Sequence, residues 1–66
     1  MKQFIYITFL NNGWQTKWEA IRDSNGIYIS DADAAYKRAQ TIYTGCKWGI
    51  ADYEQMKLGN AMRDNF

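Results

Sequence analysis

Ser30, Asp31, Asp33 and Cys46 are the side chains of this 66-residue sequence whose types and spacing would suit covalent or acid/base chemistry. Two carboxylates separated by one residue, Asp31 and Asp33, are the raw material of general acid/base catalysis. They are also what a helix N-terminus attracts, because its first backbone N–H groups lack partners and carry partial positive charge. Capping is the preferred reading of both. Ser30 or Cys46 as a nucleophile needs a base, and the sequence contains no histidine. Lysine or a carboxylate would have to serve, and no recognised spacing supports that arrangement. Cys46 follows Gly45, which is placed to end a helix, and the negative end of the helix dipole disfavours a thiolate there. One cysteine without histidine cannot assemble the usual zinc sets. The five glycines stand singly, so neither a phosphate-cradling loop nor a dinucleotide fingerprint is present. The expectation is a protein that is not an enzyme and uses no cofactor or metal.

The elements that position these residues follow from periodicity. Phe4 to Leu10 and Trp14 to Ile21 are dense in aromatic and β-branched residues, and Asn12-Gly13 between them signals a type I′ turn, whose two central residues need positive φ. A two-residue turn pairs Phe9 with Thr16, Ile7 with Trp18 and Ile5 with Ala20 on one face, the core face. The opposite face then pairs Leu10 with Gln15, Thr8 with Lys17, Tyr6 with Glu19 and Phe4 with Ile21. A three-residue loop would set Ile5 and Ile7 against Glu19 and Lys17, and it loses that comparison.

Asp23-Ser24-Asn25-Gly26 is a second turn cluster, and Ile27-Tyr28-Ile29 after it reads as a short third antiparallel strand at a sheet edge. Ser30 followed by Asp33 resembles a capping box, so a helix begins there. Ala32, Ala35, Tyr36, Ala39, Ile42 and Tyr43 recur at helical spacing as its apolar stripe, and Gly45 ends it as a left-handed cap. Beyond it, Trp48 to Ala51 reads as a short strand, while Ala51, Leu58, Ala61 and Met62 fit a helical stripe interrupted by Gly59. A second helix from about Asp52 to Arg63 is preferred. The expected fold is one α+β domain spanning residues 1–66, a three-stranded antiparallel sheet packed on one main helix with a second, C-terminal helix.

A chain this short buries only about 60% of the surface its unfolded form exposes, so its stability is expected to be marginal. Hydrophobic residues make up 47% and aromatics 17%, enough for one small core and too many for disorder. Eight basic against seven acidic residues give a net charge of +1, and no strong overall field draws the chain to nucleic acid or an acidic membrane. The lone cysteine argues for a reducing compartment, and the cytoplasm is the expected location. The apolar run in MKQFIYITFL stops at Asn11-Asn12 with no cleavage site after it, which reads as a strand rather than a signal peptide. No stretch approaches the roughly 20 apolar residues needed to span a bilayer.

The aromatics carry the functional signal. Trp18 is assigned to the core. The second face of the hairpin is different, because Phe4, Tyr6 and Ile21 make it neither clean core nor clean solvent surface. Either the C-terminal segment covers it, or it is an exposed apolar patch of the kind that marks an interface. With Trp14 beside the turn and the interleaved charges Lys17, Glu19 and Arg22, this gives a candidate partner-binding surface of Phe4, Tyr6, Trp14, Lys17, Glu19, Ile21 and Arg22. The charges alone also read as a solvated, edge-protecting surface.

WEAIRDSNG at 18–26 followed by AYKRAQTIYTG at 35–45 resembles the APETALA/ethylene-response type of DNA-binding domain over about half the chain. The resemblance implies a three-stranded sheet on one helix that reads DNA through the sheet, with Lys17 and Arg22 as the contacts. In size and composition the chain is also similar to the small inhibitors that phages and mobile elements deploy against host polymerases, nucleases or defence systems. The expected function is a non-enzymatic binding protein of that inhibitor type, acting on a host protein through the hairpin face. The alternatives are a sheet-based nucleic-acid binding module and a self-assembling homodimer, with or without a small ligand such as a nucleotide at the junction.

Overall fold

The computed structural model describes residues 4–65, and it is an α+β fold. The elements are β1 (Tyr6–Asn11), β2 (Trp14–Gln15), β3 (Glu19–Ala20), α1 (Ala32–Ile42), β4 (Trp48–Ala51), α2 (Tyr53–Lys57) and β5 (Arg63–Asp64). All sheet pairings are antiparallel, in the order β2–β1–β4–β5, with β3 also on β1. The sheet is thus larger than the three strands expected. Ile27–Ile29 contributes only an isolated bridge, Arg22 to Tyr28. The central partner of β1 is β4, which pairs with it from Tyr6–Ala51 to Phe9–Trp48.

The hairpin turn forms as its residues demand, with Asn12 at φ 55° and Gly13 at φ 84°. A Cβ at Gly13 would meet nothing within 4 Å, so a side chain there is opposed only by the backbone. Gly13→Ala is therefore expected to lower stability by about 1 kcal/mol, read as a lower urea midpoint with an unchanged slope.

Past the turn the ladder changes register. Leu10 pairs with Gln15 next to the turn, but Tyr6 pairs with Ala20 and Ile7 with Glu19 further along, which leaves one extra residue in the second strand. Thr16 builds this bulge. Its N–H donates to the Phe9 carbonyl (2.8 Å), and its hydroxyl replaces its own carbonyl as acceptor for the Phe9 N–H (3.1 Å). The freed carbonyl accepts from the Thr8 hydroxyl at 2.7 Å, which satisfies a side chain with no exposed surface. Because side chains alternate between faces, a one-residue slip exchanges them. Ile21 bonds through its N–H to the Ile5 carbonyl and enters the core at 3% exposure, correcting its assignment to the outer surface. Trp18 is only partly buried, shares Ala20's side of the strand, and is not in the core cluster.

The core lies between the sheet and α1: Ile5, Ile7, Ile21, Ile29, Ala35, Ala39, Trp48 and Ile50, with Phe9, Ala32, Tyr36 and Tyr43 packed against it. Phe9 meets Tyr43 edge-on at 4.8 Å, and Tyr36 meets Trp48 edge-on at 5.5 Å. The stripe holds except at Ile42, which is 39% exposed near the end of the helix. The N-cap of α1 is Asp31, whose carboxylate accepts from the Ala34 N–H at 3.0 Å, rather than Ser30. An Asp one position later offers a carboxylate at the same reach, so the helix starts after it. The C-cap is Tyr43, and Gly45 takes its positive φ two residues later.

The C-terminal segment corrects the expected long helix. Asp52 caps α2 by accepting from the Gln55 N–H, and after five residues the chain turns away at Gly59, φ 75°. The Asn60 N–H bonds the Gln55 carbonyl and the Gly59 N–H bonds the Met56 carbonyl, the paired bonds of a Schellman ending. Residues 60–65 then return, with β5 (Arg63–Asp64) paired along β4. Asn65 fastens that return, accepting from the Trp48 N–H at 2.8 Å and donating to the Cys46 carbonyl at 3.2 Å.

Candidate functional site

The residues suited to chemistry are spent on structure or stand apart. Asp31 caps α1, Asp33 pairs with Arg63 at 2.6 Å, and Cys46 and Ser30 are exposed. Among the described residues no group of three or more His, Cys, Asp or Glu is placed to hold a metal ion.

The second face of the sheet is the site that remains, and its cover is lopsided. Side chains alternate, so β1 sends Tyr6, Thr8 and Leu10 to this face and β4 sends Ala51. Over β4 the helix α2 seals it, leaving Ala51 at 1% exposure, and at the bulge the Thr8 side chain of β1, bonded to the Thr16 carbonyl, is at 0%. Over β3 and the start of β1 it stays open: Phe4, Tyr6, Trp18 and Ala20 are all partly exposed. Tyr6 marks the boundary, since it pairs with Ala51 on one side and Ala20 on the other. Its ring stands 6.1 Å from that of Tyr53, the first residue of α2.

Around this open half the rings and cations are already ordered. Phe4 packs on Tyr28 at 5.0 Å between centroids. The Arg22 guanidinium lies 4.6 Å from the Tyr28 ring centroid, and its Nη2 donates to the Tyr28 hydroxyl at 2.7 Å. The Lys57 ammonium sits 5.2 Å over the Tyr53 ring. Each cation over a ring face gains from the ring quadrupole and loses rotamer freedom that a partner would otherwise have to take away.

Of the expected surface, Phe4, Tyr6 and Arg22 come together here. Trp14 does not: it stands at the hairpin tip, 78% exposed. Lys17 is exposed in the bulge, away from this cluster in the strand order. Glu19 is exposed but pairs with Ile7, which puts it on the α1 side of the sheet, and Ile21 is core. Tyr28, Tyr53 and Lys57 were not foreseen. The alternation Ile27-Tyr28-Ile29 carried the signal for Tyr28, because with Ile29 inside its neighbour must lie on the other face. Nothing local to the sequence placed Tyr53, whose position depends on the pairing of β4 with β1.

The chain matches no family model, and neither the curated proteins nor the solved structures contain one similar to it.

Proposed function

We propose that this is a non-enzymatic binding protein that engages another protein through the open half of its second sheet face, centred on Phe4, Tyr6, Arg22 and Tyr28. One observation carries the reading: a small chain with an α2 able to seal half the face leaves the other half as an aromatic surface ordered by its own cations. Tyr, Trp, Phe and Arg are the residue types that dominate protein interfaces, and preordered side chains lower the entropic cost of docking. Acting by occupation alone, such a surface serves the inhibitor role, in which a small chain blocks a site on a host protein.

The test is site-specific photocrosslinking in cells of the native host. A benzophenone side chain at Phe4 is expected to trap a defined protein partner, and one at Gln40, on the exposed side of α1, is not. Tyr6→Ala is expected to weaken capture at Phe4 at least tenfold while circular dichroism stays unchanged. Equal crosslinking from Phe4 and Gln40, or capture indifferent to Tyr6→Ala, rejects this surface.

A further inference from the structure

The open face holds one charged group that is fixed in place with no carboxylate partner among the described residues. Arg22 is exposed, yet it is fixed twice, by its bridge to Tyr28 in the backbone and by its guanidinium on the Tyr28 ring and hydroxyl. One of its five N–H donors is used by that hydroxyl. Among the described residues the ion pair within 4 Å is Arg63 with Asp33, so no carboxylate meets Arg22. The nearest acid in sequence, Asp23, has turned inward: its Oδ1 accepts from the N–H groups of Asn25 and Ile27 and holds its own turn. A second guanidinium approaches the same edge, since the Nε of Arg38 donates to the Arg22 carbonyl at 3.2 Å. A third cation, Lys57, flanks the face above Tyr53.

Resting on the binding role assigned to this face, we propose that its partner is an acidic protein segment: a glutamate or aspartate that takes the free fork of Arg22, flanked by apolar side chains that lie on Phe4 and Tyr6. The complementarity is of charge and shape together. The open half of this face, from β1 to the Arg22–Tyr28 bridge, supplies a cation and rings but no strand carboxylate, Asp64 sharing the face only at the far β5 edge, and a planar guanidinium held in place matches a carboxylate through two parallel hydrogen bonds. The ring faces of Tyr28 and Tyr53 already carry Arg22 and Lys57, which leaves fewer open platforms for stacked bases and favours protein over single-stranded nucleic acid.

The experiment is fluorescence anisotropy with the intact chain and three labelled probes: a peptide alternating glutamate with leucine and phenylalanine, the same peptide with lysine for glutamate, and a 15-nucleotide oligothymidylate. The acidic peptide is expected to bind, and to weaken about tenfold or more between 50 mM and 500 mM salt. Arg22→Gln is expected to reduce its binding about tenfold, with Arg22→Lys recovering only part of the loss because an ammonium lacks the fork. Thermal unfolding of both variants, unchanged, excludes misfolding. Equal binding of the acidic and basic peptides, tighter binding of the oligonucleotide, binding of no probe, or indifference to Arg22→Gln overturns the proposal. If Arg22→Gln has no effect but Tyr6→Ala abolishes crosslinking from Phe4, the acidic partner is refuted and the docking face stands. If Tyr6→Ala is silent too, the face itself is refuted.

Discussion

Trp48→Ala is expected to leave the chain largely unfolded at 25 °C. Trp48 has no exposed surface and is the largest of the fully buried side chains, standing on β4 in contact with Tyr36 of α1. Removing so large a buried side chain costs about 3–5 kcal/mol, the lost transfer energy plus the cavity. A 66-residue domain holds in total roughly 3–10 kcal/mol. At the low end of that range, where so short a chain is expected to stand, the loss matches or exceeds the whole stability. Far-ultraviolet circular dichroism and urea titration measure it, and a variant with a native midpoint would show that Trp48 is not the keystone of the core. Trp48→Phe is the informative contrast. The indole Nε1 is buried without a hydrogen-bond partner, which carries a penalty on the order of 1–3 kcal/mol. Phenylalanine removes that donor along with part of the ring, so the two effects oppose each other and the net change is expected within about 1.5 kcal/mol.

The same residue shows what was legible in the sequence. Asn12-Gly13 declared its turn through a local requirement for positive φ, and the α1 stripe declared itself through spacing, because Ala35 and Ala39 repeat on one side. Trp48-Gly-Ile-Ala read as a short strand with the bounds of β4, but its place in the sheet did not show, since all four residues are buried and a strand covered on both faces has no polar alternation to read. That ambiguity hid the strand's central position beside β1, and the C-terminal helix was read too long, across Gly59. The register error had a different cause. A two-residue turn fixes pairing only as far as the ladder stays regular, and Thr16 breaks it by using its hydroxyl where its carbonyl belongs. The pairing of Ile7 with Glu19, rejected on polarity, forms because β3 lies at an edge where a carboxylate on the core side still reaches water. Hence Phe4 and Tyr6 were legible as outer-face residues, while the single slip exchanged the faces of Trp18, Glu19, Ala20 and Ile21.

Tyr6 lies between two alanines on the same face, and substituting each by glutamate gives the sharpest measure of the lopsided cover on which the functional reading rests. Ala51, on β4, is 1% exposed, whereas Ala20, on β3, is partly exposed. Ala51→Glu buries an unpaired charge between the sheet and α2, which costs on the order of 4 kcal/mol and is expected to abolish cooperative folding. Ala20→Glu leaves the carboxylate free to turn into water at the open half, and the expected cost is below about 1 kcal/mol. Its effect falls on binding instead: a negative charge beside Tyr6 repels an acidic partner and competes for Arg22, so crosslinking from Phe4 is expected to drop at least tenfold in a fully folded protein. Urea titration separates the pair. Comparable destabilisation by both would mean that the β3 half is as sealed as the β4 half, and no open surface would remain for a partner to meet.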